Sequence, residues 1–290
     1  KVSLVAMRNP SVLDVYEPGS TGKVMTIAAA LEEKKITPQT VLTIPDKLKR
    51  SVKVFRDHEP HPTQRLTTAG VLAVSSNTGS IKIGEMLSND QLYDYLTKFG
   101  IGTKTGSGLP GESRGILPKV ADWSGTTAPT VAFGQGYSLT AMQATSVFAT
   151  IANDGVRVSP TVIAGKSDSS GNYTPSATRE SVRVISADTA AKMRLMMESV
   201  VSGNGTAPSA AIPGYRVAGK TGTAQRIDDT CGCYRGYTAS FIGFAPADNP
   251  AYVISVTIQD PKGMHWGGVL GGPVFKKVMS FVLQSRHIAP

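Results

Sequence analysis

Residues Gly214–Gln225, "GYRVAGKTGTAQ", satisfy two incompatible patterns. Gly214–Thr221 fits G-x-x-x-x-G-K-[ST], the loop that wraps nucleotide phosphates. Lys220-Thr221-Gly222-Thr223 reads equally as a strand whose lysine and two hydroxyls hold a carboxylate. The flanks decide between them. A phosphate loop needs a buried strand before its glycines and a helix opening at its lysine. Upstream, "SGNGTAPSAAIP" has loop composition, and downstream "TGTAQRIDDTCGC" opposes a helix. Tyr215–Ala218 alternates as a strand does. The segment is therefore expected to be a strand presenting K-T-G-T.

Working outward, "YTASFIGFAP", the turn "ADNP" and "AYVISVTIQDP" give a strand-turn-strand signal. "GGPVFKKVMSFVLQSR" follows as a helix with Pro273 at its first turn. At the other end, Ser3–Met7 is a short apolar strand candidate. Between them the period is helical. In "TGKVMTIAAALEEKK", Val24, Ile27, Ala28 and Leu31 share one face. "TTAGVLAVSSNTGSIKIGEML" reads as helix with a polar break at Ser75–Thr78. "SNDQLYDYLTKFG", "TAMQATSVFATIANDG" and "SADTAAKMRLMMESVVSGNG" read as further helices, the last capped by Ser186. Gly100–Ala128 is a long irregular connection and "GKSDSSGN" a hydrophilic loop. Strands at both ends of a helical middle predict an α+β fold: an antiparallel sheet flanked by helices, plus an all-helical region.

The chain has 290 residues, enough for a sizeable core, and a formal charge of +9. That charge favours anionic partners. No run of Lys or Arg exceeds two residues, and aromatic residues do not interleave with basic ones, so an acidic substrate is favoured over nucleic acid. Cys231 and Cys233 are the only cysteines. C-x-C cannot close a four-ligand zinc site, which leaves a small local disulfide or two reduced thiols. There is no apolar run of about 18 residues, so no membrane span is expected. Beginning "KVSLVAM" without a signal pattern, the sequence reads as a fragment or processed form.

Three separated signals converge on one chemistry. Ser20-Thr21-Gly22-Lys23 is S-x-x-K at a helix start, Ser75-Ser76-Asn77 is S-x-N in a break between helices, and K-T-G-T lies on the strand. Sets of this type belong to penicillin-binding proteins and serine β-lactamases. Residues i and i+3 share a helix face, so Lys23 can reach the Ser20 hydroxyl. To accept a proton at neutral pH, Lys23 must fall about three units from a reference near 10.4, which costs about 4 kcal/mol. Burial and a second cation, Lys220, both push that way. Ser75 can relay a proton to a leaving amine, and Asn77 can hold a substrate amide and fix Lys23. Backbone N–H groups of Ser20 and Thr223 would form an oxyanion hole. Lys220, Thr221 and Thr223 can hold a terminal carboxylate, with Gly222 keeping the strand bare for substrate.

Other patterns are decoys. "GESRG" at Gly111–Gly115 fits G-x-S-x-G, but Pro110 and Pro118 deny Ser113 its strand and helix. A second K-T-G at Lys104 sits in the Gly-rich connection, where a solvated loop lysine is expected. Asp57, His58, Glu59 and His61 could suggest a metal. Pro60 spoils a helical pair, and a polar loop is the simpler reading. His265 beside Trp266 reads as packing at the site's edge.

On these motifs the chain resembles the transpeptidase domain of class B penicillin-binding proteins, most closely the cell-division type, over nearly all its length. "YEPGSTGKVMTIAAALE", "VLAVSSNTG", "FGIGTKTGSGLPGE", "VAFGQGYSLTAMQATSVFATIANDG", "VAGKTGTAQ", "ASFIGFAPADNPAYVISV" and "HWGGVLGGPVF" carry the likeness. "CGCYRGY" and "GTKTGS" suggest an actinobacterial member. The resemblance implies the penicillin-binding/serine β-lactamase-like fold, with one catalytic domain across residues 1–290. Ser20 is then the acylated serine, Lys23 its base, Ser75 and Asn77 the second motif, and Lys220, Thr221 and Thr223 the strand beside the site. It implies D,D-transpeptidation of D-Ala–D-Ala stem peptides, acylation by β-lactams, and no cofactor or metal. It further implies a place on the extracytoplasmic face of the bacterial membrane, with cell-division and glycan-polymerase proteins as partners of the full-length chain. Family members usually carry a longer segment where "LVAM" and "RNPSV" abut at Met7–Arg8, and an anchor and noncatalytic module besides. No E-x-x-L-N stretch offers a deacylating Glu, so a long-lived acyl-enzyme is expected rather than a β-lactamase. A D,D-carboxypeptidase and a penicillin-sensing receptor domain share the motifs.

Overall fold

The computed structural model describes residues 8–177, 179–228 and 230–290. The strand candidate Ser3–Met7 lies outside the described residues, as does the Met7 side of the short junction. Helices run at α1 (Pro10–Leu13), α2 (Lys23–Glu32), α3 (Thr68–Ala73), α4 (Asn77–Gly84), α5 (Asn89–Lys98), α6 (Thr127–Ala132), α7 (Ala141–Ala152), α8 (Ala187–Glu198) and α9 (Gly267–Ser285). Strands run at β1 (Val15–Tyr16), β2 (Val41–Ile44), β3 (Lys47–Arg50), β4 (Lys53–Arg56), β5 (Gln64–Thr67), β6 (Leu139–Thr140) and β7 (Val156–Val158). They continue as β8 (Gly165–Ser167), β9 (Tyr173–Pro175), β10 (Ser181–Arg183), β11 (Ala218–Asp228), β12 (Cys233–Ala245) and β13 (Tyr252–Gln259).

The main sheet is antiparallel in the order β11-β12-β13, with Lys220 opposite Ile242 and Gly222 opposite Ser240. Side chains alternate across it. Gly219 faces the Phe241 ring, and Phe241 meets Phe275 of α9 edge-on at 4.9 Å. Lys220 and Gly222 face the opposite way, toward the helices. This places β11 at one edge of the sheet among the described residues, along the groove that holds the site.

Helix α2 is the axis of the helical part. Lys23 through Leu31 are all buried, as a helix apolar on every side must be. The caps follow the sequence. Ser186 accepts from Thr189 N at the start of α8, and Ser88–Gln91 and Thr140–Gln143 form capping boxes. Gln143 also donates its amide to the carbonyls of Gly100, Thr103 and Arg114. One buried side chain thus anchors the irregular 100–128 connection.

Some elements differ from the sequence reading. Helix α9 begins at Gly267, with Pro273 inside it rather than in its first turn. The helix thus opens four residues before the expected Gly271, on glycines that permit close packing. A Cβ at Gly267 would meet the carbonyl oxygens of Ser240 and Gly222 at 2.2 and 2.3 Å. The helical region also carries two small antiparallel sheets, β2-β5 and β3-β4. Their strands are four residues each, too short for periodicity to resolve. "GKSDSSGN" is not all loop: Gly165–Ser167 form β8, and residues 168–172 turn the chain into β9. Cys231 and Cys233 are bridged beside the β11-β12 turn.

Candidate active site

Ser20 lies in a 3₁₀ turn, Gly19–Gly22, that runs straight into α2. Gly19 has φ +54°, a region glycine enters without a Cβ penalty, and its N–H donates to the Gly134 carbonyl at 2.8 Å. A Cβ at Gly134 would collide with the Gly19 oxygen at 1.8 Å, so the nucleophile turn and the 133–137 loop are locked by two glycines. Lys23, one turn on, is fully buried.

The break between α3 and α4 brings the second motif to Lys23. Ser75 sits at φ +61°, an uncommon conformation for a residue with a side chain. The Lys23 ammonium donates to the Ser75 carbonyl and to Asn77 Oδ1 (2.7 Å), with Ser75 Oγ at 3.2 Å. Lys220, also fully buried, donates to Ser75 Oγ at 2.8 Å. Ser75 is therefore held between two lysines. Thr221 Oγ1 is 3.3 Å from Lys220 Nζ and 2.8 Å from Thr206 Oγ1, and Thr223 Oγ1 accepts from Gly267 N at 3.2 Å. Ser20, Ser75, Asn77, Thr221 and Thr223 line one groove of about 580 Å³. No hydrogen bond joins Ser20 Oγ to Lys23 among the described residues. Such contacts commonly tighten only in a complex.

Burial pulls Lys23 down to about 7, partly opposed by the Asp57 carboxylate. Lys220 is held well below the ordinary lysine value, first by burial and then by the Lys23 charge. A neutral amine has two N–H donors and one lone pair. With its donors spent on the Ser75 carbonyl and Asn77, the lone pair of Lys23 is left for the serine hydroxyls.

Gly222 has a different role from the one its sequence suggested. A Cβ there would meet Ser240 Oγ at 2.4 Å, and the Pro18 oxygen and Thr21 Cγ2 at 3.0 Å. It faces the nucleophile turn, so its missing side chain lets β11 close on Ser20 instead of clearing a path for substrate. Asn77 is likewise more committed than expected, since Nδ2 donates to the Arg56 carbonyl at 2.9 Å. One amide N–H remains for a substrate.

Asp57, expected in a polar loop, has a role in the site that sequence reading missed. Its side chain is 8% exposed and accepts from Ser76 Oγ (2.6 Å), Thr78 N (2.8 Å) and His61 Nε2 (3.0 Å). It pins the first turn of α4, and with it Ser75 and Asn77. The one available signal was an acid placed directly after the basic stretch 47–56. Glu17 is a second such group. Buried, and pushed up by that burial, it accepts from Gly136 N at 2.8 Å beside the nucleophile turn. Ser113 and Lys104 stay apart from this cluster as loop residues, and Lys104 is exposed. Among the described residues no group of three or more His, Cys, Asp or Glu is placed to share a metal ion.

The family model described as the penicillin binding protein transpeptidase domain matches residues 1–280. Penicillin-binding protein PbpB of Mycolicibacterium smegmatis is 41% identical over 294 residues, covering 98% of this chain and 45% of that protein. Peptidoglycan D,D-transpeptidase FtsI of Escherichia coli is 37% identical over 297 residues, covering 98% and 46%. The crystal structure of penicillin binding protein 3 from Mycobacterium tuberculosis complexed with aztreonam matches with a TM-score of 0.92 at 38% identity, covering 97% of this chain and 65% of that one. The chain belongs to the penicillin-binding protein transpeptidase family, whose α+β fold it has. Within that family it is an actinobacterial class B transpeptidase domain, similar to PbpB of the mycobacteria. It spans about half the length of the curated relatives it matches.

Proposed function

We propose that this domain is a serine D,D-transpeptidase that cross-links peptidoglycan stem peptides in septal wall synthesis and is acylated by β-lactams. The observation that carries the reading is the Lys23–Ser75–Lys220 cluster beside Ser20 in one groove. Lys23, poised near neutrality by burial, takes the Ser20 proton through the lone pair its own hydrogen bonds leave free. Ser20 Oγ attacks the penultimate D-Ala carbonyl. The N–H groups of Ser20 and Thr223 receive the oxyanion, where one lost donor costs about 10²–10³ in rate. Ser75, polarised by Lys220, passes a proton to the departing D-Ala amine, and Lys23 replenishes it. Lys220, Thr221 and Thr223 hold the terminal carboxylate, a charge-assisted contact that pays for bringing an anion into the groove.

Related proteins support the substrate class: FtsI is named a peptidoglycan D,D-transpeptidase, and penicillin binding protein 3 was solved with ampicillin as well as aztreonam. The same reading places the domain on the extracytoplasmic face of the membrane, working with cell-division and glycan-polymerase proteins. Among the described residues no helix is long and apolar enough to cross a membrane. The test is a D-Ala–D-Ala peptide donor with a labelled amine acceptor, followed by mass spectrometry. Amide product that disappears in Ser20→Ala supports transpeptidation. Release of D-Ala with only hydrolysed donor would make the domain a carboxypeptidase, and no turnover of any kind would leave a receptor.

A further inference from the structure

The groove carries titratable side chains that acylation of Ser20 does not use. Lys23 and Lys220 are buried and committed to the second motif. Asp57 is filled by its three donors. His61 has both ring nitrogens engaged, Nδ1 at 2.7 Å from the Pro62 oxygen and Nε2 at 3.0 Å from Asp57. His58 and Glu59 remain, on the loop after β4, and both line the groove with Ser20. His58 Nε2 is 3.5 Å from Glu59 Oε1. The imidazole also meets the Trp266 ring edge-on, with centroids 4.1 Å apart. Trp266 caps α9 on the sheet side, so the contact joins the two walls and fixes the imidazole at the groove's edge. His58 is the one imidazole lining the groove whose nitrogens make no hydrogen bond among the described residues.

Resolving an acyl-enzyme with an amine requires the amine to be neutral. An alkylammonium of lysine type has a pKa near 10.4, so at pH 7 only about one molecule in 2,500 is ready to attack. Burial beside the two lysines at the acylated serine also opposes entry of a cation. The proton is best removed at the mouth, before the amine reaches them. An imidazole can accept and release a proton in that exchange, and an adjacent carboxylate attracts the ammonium.

We propose that His58, backed by Glu59 and held by Trp266, is the acceptor-side general base. This rests on the transpeptidase reading. His58 takes one proton from the incoming ammonium, and the neutral amine attacks the acyl carbon. The new C–N bond forms as the ester bond to Ser20 Oγ breaks. The second amine proton travels through Ser75 and Lys23 to Ser20 Oγ, and the imidazolium returns its proton to solvent. Hydrolysis of the same acyl-enzyme needs no such deprotonation of a cation, so His58 sets the balance between transfer and hydrolysis.

The test uses a thioester donor that acylates Ser20, with labelled D-alanine as acceptor amine. The ratio of amide to hydrolysed product is measured for the wild type, His58→Ala and His58→Gln. The ratio is expected to fall about a hundredfold in both variants, at the low end of general-base contributions. Added imidazole is expected to restore it in His58→Ala. A ratio within twofold of wild type in either variant overturns the proposal, as does a fall that imidazole leaves unchanged. A wild type that fails to acylate would instead sink the transpeptidase reading itself, a result distinguishable from the loss of His58's role.

Discussion

At the residue scale, Lys23 and Asp57 govern the chemistry together. Lys23 acts when neutral and titrates near 7, so acylation by a β-lactam is expected to rise with pH through that region and level off above it. Stopped-flow acylation rates from pH 5.5 to 9 check the limb, and a flat profile would contradict it. Asp57 raises the proton affinity of Lys23 and also pins α4. Asp57→Asn should therefore move the acid limb to lower pH while lowering the plateau, two effects that one rate profile separates. The three catalytic motifs were legible in the sequence because each is a short spacing of hydroxyl, amine and amide. Asp57 was not, because its partners Ser76 and Thr78 lie about twenty residues away and no local pattern joins them.

At the element scale, the site depends on how closely β11 lies against the nucleophile turn. Gly222 has no room for a methyl group, with the Pro18 oxygen and Thr21 Cγ2 both 3.0 Å from where it would sit. Gly222→Ala should slow acylation by about ten- to a hundredfold, the scale on which a misplacement near 1 Å acts. The fold should survive, because the Ser240 side chain can rotate away. Acylation kinetics beside circular dichroism would check both halves of that expectation. The cap of α8 was readable from Ser186 ahead of its helical period. The start of α9 was not. Gly267 and Gly268 lie ahead of the apolar period, and the carbonyl oxygens of Ser240 and Gly222, 2.2 and 2.3 Å from where a Gly267 Cβ would sit, show why glycine opens the helix.

At the scale of the whole molecule, two buried lysines make the fold carry a cost for its chemistry. Lys23 has a folded pKa below its unfolded one, so between about 7 and 10.4 the unfolded chain binds more protons. Stability must then rise with pH across that window, and it is lost as pH falls from the upper value to the lower. For Lys23 alone the effect is on the order of 4 kcal/mol. Lys23→Met should raise the melting temperature at pH 7 and flatten its rise toward pH 9.5, while abolishing acylation. Thermal melts of both proteins at the two pH values check the sign, and a variant less stable at pH 7 would contradict it. The α+β architecture was visible from the change of period along the chain. The small β2-β5 and β3-β4 sheets were not, since short strands depend on tertiary partners rather than on pattern. They matter because β4 delivers Arg56 and Asp57 to the second motif. The central claim is that Ser20, activated by Lys23, forms a covalent acyl-enzyme. Intact mass after incubation with benzylpenicillin, with the adduct mapped by peptide digestion, tests it most directly. The account predicts one stable adduct on Ser20 that is absent from Ser20→Ala. An adduct on both proteins, or on neither, would contradict it.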